Sequence, residues 1–121
     1  MAKILLIEDQ PALCRLYQSV LERAGHEVTP AQTGEAGVAA AARVQPDLVI
    51  MDLVLPGMSG PEVARKLGEG GTLPAAPLII TTALGDSHAR AIAASLGATA
   101  VLVKPFDIDV ILTAVQRALL A

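Results

Sequence analysis

The sequence contains little of what several classes of protein require. Its 121 residues include a single cysteine, Cys14, which excludes an internal disulfide and a metal cluster held by cysteines. Tryptophan is absent, and one tyrosine and one phenylalanine leave almost no aromatic surface on which bases could stack. The net charge of −3 provides no basic face for a phosphate backbone. We therefore expect no direct binding to nucleic acid.

Signals for membranes and export are also missing. No hydrophobic run is long enough to cross a bilayer, and the acidic pair Glu8-Asp9 comes too early for a secretory signal peptide. Hydrophobic residues nevertheless make up 53% of the chain, which is enough to bury a core. A lone cysteine suits a reducing compartment. These features predict a cytoplasmic protein that does not contact membranes and folds as a single domain over residues 1–121.

Short apolar runs alternate along the chain with segments of helical periodicity. The runs are rich in Ile, Val and Leu, which predicts strands buried on both faces of a parallel sheet. The predicted strands are residues 4–7, 27–29, 48–51, 78–81 and 100–103, and the predicted helices are about 13–24, 35–44, 61–67, 87–96 and 108–120. The spacing assigns Leu16 and Ile108 to the apolar faces of the first and last helices. This order predicts a flavodoxin-like (βα)5 α/β fold, a three-layer sandwich whose five-stranded parallel sheet has the order 2-1-3-4-5.

Polar residues follow the predicted strands at the ends where such folds place their sites. Glu8 and Asp9 follow the first strand and Asp52 follows the third, while Thr82 and Lys104 follow the fourth and fifth. In open α/β sheets, function lies beyond the carboxyl ends of the strands, at the point where strand order reverses. If the first and third strands are neighbours, the three carboxylates converge there.

The chemistry of these residue types indicates phosphoryl transfer. Converging carboxylates repel one another and need a cation, and oxygen ligands without His or Cys favour Mg²⁺, with Mn²⁺ as an alternative. A magnesium ion held by few carboxylates keeps positions open for phosphate oxygens. Asp52 could then act as a nucleophile, while Lys104 stabilises the transferred charge and Thr82 contacts a phosphoryl oxygen. The residues alone thus predict an aspartyl-phosphate site.

Four segments in order resemble the receiver domain of two-component response regulators. They are "ILLIEDQP" (4–11), "DLVIMDLVLPGMSG" (47–60), "LIITTALGD" (78–86) and "GATAVLVKPF" (97–106), and the similarity covers nearly the whole chain. The resemblance implies that a histidine kinase or a histidine phosphotransfer protein phosphorylates Asp52 in the presence of Mg²⁺. It also implies that phosphorylation changes the face formed by the fourth helix, fifth strand and fifth helix, which then binds a downstream protein that the sequence does not identify.

The resemblance assigns further roles to single residues. Asp9 is a direct magnesium ligand, Glu8 contributes to the metal site, often through water, and the backbone carbonyl of Val54 is another ligand. Thr82 is the switch hydroxyl, with Thr81 as the less favoured candidate. Lys104 contacts the phosphoryl group, and the bond between Lys104 and Pro105 is cis.

Three positions depart from the usual pattern of that family. Many receivers have a tyrosine or phenylalanine three residues before the lysine, and this aromatic ring turns inward on activation. Val101 occupies that position here, so the usual coupling between threonine and aromatic ring is in doubt. Val54 and Leu84 occupy two positions that control the access of water to the phosphoryl group. Neither side chain can orient an attacking water, which predicts slow self-dephosphorylation.

Candidate partner-binding residues lie on the first helix and after Lys104, where relatives dock their kinases. They are Leu13, Cys14, Tyr17, Gln18 and Phe106. Helical spacing alone would place Leu13 in the core, and Cys14 is expected to be a partly buried small apolar residue.

Several alternatives to a stand-alone switch remain open. The chain could be a receiver cut from a larger regulator or hybrid kinase, or a constitutive interaction module with a vestigial switch, for which Val101 is the one supporting feature. A hydrolase with an aspartyl-phosphate intermediate is disfavoured, because that chemistry needs an acid where Val54 stands. We therefore do not expect a metabolic enzyme, only self-phosphorylation and slow self-dephosphorylation.

Overall fold

The structure, a computed structural model, describes residues 2–120. Its elements in chain order are β1 (Lys3–Ile7), α1 (Pro11–Arg23), β2 (Glu27–Ala31), α2 (Gly34–Val44), β3 (Leu48–Asp52), α3 (Gly60–Glu69), β4 (Leu78–Thr82), α4 (Ser87–Ser95), β5 (Ala100–Val103) and α5 (Ile108–Leu120). The strands form one parallel sheet in the order β2-β1-β3-β4-β5. This confirms the predicted fold class and strand order.

The strands extend further than their apolar runs suggested. β3 and β4 each include one more residue at the carboxyl end, so that Asp52 and Thr82 belong to the sheet itself. β2 continues through Pro30 to Ala31. A proline fits in β2 because it is an edge strand, where a missing N–H leaves no ladder bond unmade. The apolar runs therefore located all five strands but underestimated the length of every strand except β5.

Two apolar clusters form the core, one on each face of the sheet. The first lies under α2, α3 and α4, and includes Leu5, Met51 and Ile80. The second lies under α1 and α5, and includes Ile50 and Ile111. Every residue of β3 and β4 is buried, which is the expected pattern for central parallel strands.

The prediction of burial on both faces is wrong for the two edge strands. Glu27 and Pro30 of β2 are exposed, and three of the four residues of β5 are only half-buried. Each edge strand has a neighbour on one side alone, so part of its surface reaches solvent. A short run of apolar residues does not distinguish an edge strand from a central one.

Leu16 and Ile108 are also exposed, contrary to the prediction from helical spacing. The buried face of α1 is formed by Cys14, Tyr17 and Leu21, and Leu16 lies outside it. α5 begins to pack only at Ile111, one turn after Ile108. Within residues 2–120, no helix has both the length and the apolar composition that crossing a bilayer would require.

Two glycines shape the connection from β3 to α3, one within the loop and one at the first position of the helix. Gly57 has a φ of +80°, in the left-handed region that favours glycine. Gly60 lies against the chain, since an added Cβ would come 2.5 Å from the carbonyl oxygen of Leu53. The Gly60 N–H donates to that same oxygen at 3.1 Å. These contacts fold the loop back beside the end of β3, where Asp52 lies.

Candidate functional site

Three carboxylates meet at the carboxyl edge of the sheet. β1 and β3 are neighbours in register, with Ile7 beside Met51, so Glu8 and Asp52 follow at the same level. Glu8, Asp9 and Asp52 each offer an oxygen that lies within 4.8 Å of the others. Glu8 is 1% exposed and Asp52 is 6% exposed. The structure therefore brings together the three acids that the sequence placed after the first and third strands.

Lys104 lies between two of these acids. Its Nζ is 2.6 Å from Oε1 of Glu8 and 2.6 Å from Oδ2 of Asp52. The backbone N–H of Lys104 donates to the carbonyl of Thr82 at 2.7 Å, which attaches the end of β5 to the end of β4. The bond between Lys104 and Pro105 is cis, as the resemblance implied. One ammonium group thus partly balances two buried carboxylates.

Burial and pairing act on the titration of this cluster in opposite directions. Burial raises the pKa of Glu8, and the hydrogen bond with Lys104 offsets this only in part. Burial lowers the pKa of Lys104, but its hydrogen bonds to Asp52 and Glu8 outweigh that effect and the pKa is raised. Lys104 is therefore fully charged at neutral pH, and its charge is shared between the two carboxylates.

Backbone amides hold the remaining oxygens of both acids. The Val54 N–H donates to Oδ1 of Asp52 at 3.0 Å, and the Gln10 N–H donates to Oε2 of Glu8 at 3.1 Å. Each carboxylate therefore has one oxygen on an amide and one on Lys104. Sequence reasoning missed the contact between Lys104 and Glu8, because it assigned the lysine to a phosphoryl group.

The two threonines at the end of β4 differ in their surroundings, although both are buried. Thr82 Oγ1 accepts a hydrogen bond from the Leu84 N–H at 3.0 Å. Thr81 is the register partner of Asp52, so their side chains share a face of the sheet. Because of its bond with the Leu84 N–H, the hydroxyl of Thr82 is held by the turn that follows β4.

The donor set suits a hard divalent cation. All three acids offer oxygen atoms in a compact group, with no imidazole or thiolate among them. Mg²⁺ prefers such ligands and retains several waters, which phosphoryl oxygens can replace. Glu8, Asp9 and Asp52 could hold this ion, and Asp9 is the least buried of the three.

Two exposed aliphatic side chains follow the strands that end at the site. Val54 is 60% exposed and Leu84 is 50% exposed. Val101 lies on β5, half-buried against the first core cluster. A separate cleft of about 610 Å³ between β5 and α5 contains none of the three acids and is lined mainly by small and apolar side chains.

The predicted docking residues are not all accessible. Cys14 and Tyr17 are buried in the second core cluster, because they lie on the face of α1 that packs on the sheet. Leu13, Gln18 and Phe106 are half-buried. Burial removes the side chain of Cys14 from any docking surface and leaves little of Tyr17. Sequence reasoning also missed that the Tyr17 and Phe106 rings stack, with centroids 5.5 Å apart and planes 16° apart.

Comparison with known proteins gives a consistent result. Residues 4–116 match the family model described as the response regulator receiver domain. Protein PilH of Pseudomonas aeruginosa is 34% identical over 119 residues, and the alignment covers 98% of each chain. RpaA of Synechocystis, a DNA-binding dual master transcriptional regulator, is 39% identical over 120 residues, but the chain spans only 49% of its length.

Solved structures agree with these sequence matches. The chemotaxis protein CheY4 of Vibrio cholerae superposes with a TM-score of 0.91 at 29% identity, covering 98% of both chains. The receiver domain of a LuxO-type repressor protein from Vibrio parahaemolyticus superposes with a TM-score of 0.89 at 30% identity, covering 98% of this chain and 89% of that one.

Proposed function

The chain belongs to the response regulator receiver family of two-component systems, and from that premise we propose that it is a phosphoryl-accepting switch whose acceptor is Asp52. A histidine kinase or a histidine phosphotransfer protein is the donor. The observation that best supports the proposal is the placement of Lys104 at 2.6 Å from Asp52 within a cluster of three acids. Such a cluster combines a nucleophile, a cation site and a positive charge next to the nucleophile.

The proposed reaction uses this chain's residues as follows. A carboxylate oxygen of Asp52 attacks the phosphorus, and the bond from phosphorus to the imidazole nitrogen of the donor breaks as the imidazole leaves. The Val54 N–H keeps the Asp52 carboxylate oriented through Oδ1. Lys104 exchanges a carboxylate partner for a phosphoryl oxygen and so offsets the transferred charge. The groups that would hold Mg²⁺ are Glu8, Asp9, Asp52 and the carbonyl of Val54, and the ion would supply positive charge to offset the carboxylates and the transferred phosphoryl group.

The new phosphoryl group then acts through Thr82. Its added charge of about −1.5 to −2 attracts the hydroxyl. In the present state that hydroxyl accepts from the Leu84 N–H, so turning to the phosphate breaks this bond and releases the loop after β4. The loop leads directly into α4, whose first turn is capped by Asp86. We propose that this shifts an existing equilibrium and changes the face formed by α4, β5 and α5.

Receiver domains are not enzymes in the metabolic sense, and we propose that this one catalyses only its own phosphorylation and slow dephosphorylation. We place the exchange in the cytoplasm, where ATP supplies kinases and where the free thiol of Cys14 stays reduced. Residues 1–121 act as one receiver domain in this proposal, with protein partners and no direct contact with nucleic acid or membrane.

Nuclear magnetic resonance with a phosphoryl mimic tests the proposal. Mg²⁺ and beryllofluoride are added to the protein, and the amide signals of Thr82 and Ala83 are followed. We expect both signals to shift in the wild type and to stay unchanged in Asp52→Asn. Unchanged signals in the wild type would contradict the switch and favour a constitutive interaction module. Sustained turnover of a phosphate ester would instead favour a hydrolase.

A further inference from the structure

The one tyrosine and the one phenylalanine of the chain contact each other. Tyr17 lies in the middle of α1 and is 6% exposed, within the second core cluster. Phe106 lies two residues after Lys104, between β5 and α5, and packs against the same cluster. Their rings are nearly parallel at 5.5 Å, a stacked geometry that stabilises aromatic pairs beyond simple burial. The contact joins a helix to the segment that follows the site lysine.

That segment has few other attachments. Before it, the Lys104 N–H donates to the carbonyl of Thr82. Pro105 has no N–H, and in residues 2–120 the backbone of Phe106 makes no hydrogen bond with other backbone groups. The next backbone bond along the chain is between the Val110 N–H and the carbonyl of Asp107. The position of the turn after Lys104 therefore depends strongly on where the ring of Phe106 packs.

Tyr17 is also close enough to the site to be affected by its charges. Burial is the main cause that raises the pKa of Tyr17, while Lys104 lowers it and Glu8 and Asp52 raise it. The charges of the acidic cluster and of Lys104 therefore act on the phenol, which α1 presents to the core beside the site.

We propose that Tyr17 is a positioning residue for Lys104 and that it acts through Phe106. The stack holds the chain after Lys104 against α1, so that the ammonium reaches Glu8 and Asp52 together. Without the ring of Tyr17, the segment has room to shift, and the ammonium loses its shared position. The effect of this positioning on phosphoryl transfer rests on the proposed function, whereas the positioning of Lys104 itself is a property of the unphosphorylated protein.

Four variants distinguish a role of Tyr17 in positioning Lys104 from a general contribution to core packing. Tyr17→Phe keeps the ring and removes the hydroxyl, and Tyr17→Leu keeps apolar volume and removes the ring. Phe106→Leu makes the corresponding change on the other side of the stack. Val20→Ala is the control, because Val20 lies on the same helix and packs half-buried against the same core cluster without belonging to the stack.

Two readouts are measured on each variant. The first is the side-chain ammonium signal of Lys104 in ¹H–¹⁵N spectra of the unphosphorylated protein, which is visible when hydrogen bonds slow its exchange with water. The second is the rate of phosphorylation by acetyl phosphate with Mg²⁺, as a function of acetyl phosphate concentration. We expect Tyr17→Leu and Phe106→Leu to lose the signal and to lower the maximal rate by roughly tenfold or more, since misplacement by about 1 Å has effects of that size or larger. Tyr17→Phe and Val20→Ala should keep both.

The outcomes distinguish this proposal from the proposed function. If both leucine variants keep the ammonium signal, or if Val20→Ala loses it equally, Tyr17 does not position Lys104. If the signal changes as expected but the wild type cannot be phosphorylated, positioning is supported and the proposed function fails. If Tyr17→Leu does not fold, Phe106→Leu decides, because Phe106 lies at the edge of the core.

Discussion

Lys104 and Glu8 are 96 positions apart in the sequence, yet their Nζ and Oε1 atoms are 2.6 Å apart beside Asp52. This relationship makes the lysine a structural partner before it has any phosphoryl group to contact. Two buried carboxylates share one ammonium. Lys104 therefore stabilises the unphosphorylated site, and in the proposed phosphoryl transfer the same ammonium contacts the phosphoryl group. Loss of that ammonium leaves the carboxylates without a buried counter-charge.

Lys104→Met should therefore destabilise the protein when no divalent cation is present. We expect the free energy of unfolding to fall by about 3 kcal/mol, which is the lower end of the range for removing one partner of a buried ion pair. Urea unfolding with a chelator measures it, and Lys3→Met at an exposed position is the control. Adding Mg²⁺ should restore part of the loss in Lys104→Met, because ligands of the folded state stabilise it. Equal stability of the two variants would contradict this account.

Thr82→Ala and Thr81→Ala form a matched pair, since both threonines are buried at the end of β4. We expect Thr82→Ala to accept a phosphoryl group but to lose the beryllofluoride-induced shift at the amide of Ala83. Thr81→Ala should keep that shift. Amide spectra of the two variants with Mg²⁺ decide the matter, and a response lost only in Thr81→Ala would transfer the switch role to Thr81.

The phosphorylated state should be long-lived, because the exposed side chains of Val54 and Leu84 cannot orient an attacking water. We expect Val54→Asn and Leu84→Gln to shorten the lifetime of the acyl phosphate, which is followed by phosphate release after the donor is removed. Leu16→Gln changes an exposed leucine on α1 and should leave the lifetime unchanged. A wild-type lifetime of only seconds would refute this prediction.

Cys14 should react slowly with thiol reagents. Burial raises the pKa of its thiol, and the charge of Glu8 raises it further, so the thiolate fraction at pH 8 is below that of an ordinary cysteine. The side chain is also buried. Labelling by a chromogenic disulfide should be slow in the native protein and fast in urea. Equally fast labelling in both conditions would show that α1 does not pack as described.

Much of the fold could be predicted because its signals are local. Uninterrupted apolar runs predicted a parallel sheet, and the structure buries every residue of β3 and β4 and every residue of β1 except Lys3. The predicted strand order already placed β2 at an edge, but its residue composition did not show which of its side chains reach solvent, because that depends on the packing around it. Similarly, spacing alone placed Leu16 on the core face of α1, although the helix packs through Cys14 and Tyr17.

The acids of the site were predictable because each follows a strand, and parallel strands end at the same edge. The contact between Lys104 and Glu8 could not be predicted in the same way. Whether Lys104 pairs with Glu8 depends on side-chain reach across the sheet, which no pattern in the sequence encodes. The stack of Tyr17 on Phe106 depends in the same way on how α1 lies against the segment after β5.

Phosphorylation mapped by mass spectrometry tests the central claim most directly. The protein is incubated with Mg²⁺ and acetyl phosphate, and the mass gain is located on the chain. Asp52→Asn is compared with Asp47→Asn, which changes an exposed aspartate before β3. We predict the gain of one phosphoryl group on Asp52 in the wild type and in Asp47→Asn, and no gain in Asp52→Asn. A phosphoryl group retained in Asp52→Asn, or absent from the wild type, would contradict the assignment of Asp52 as the acceptor.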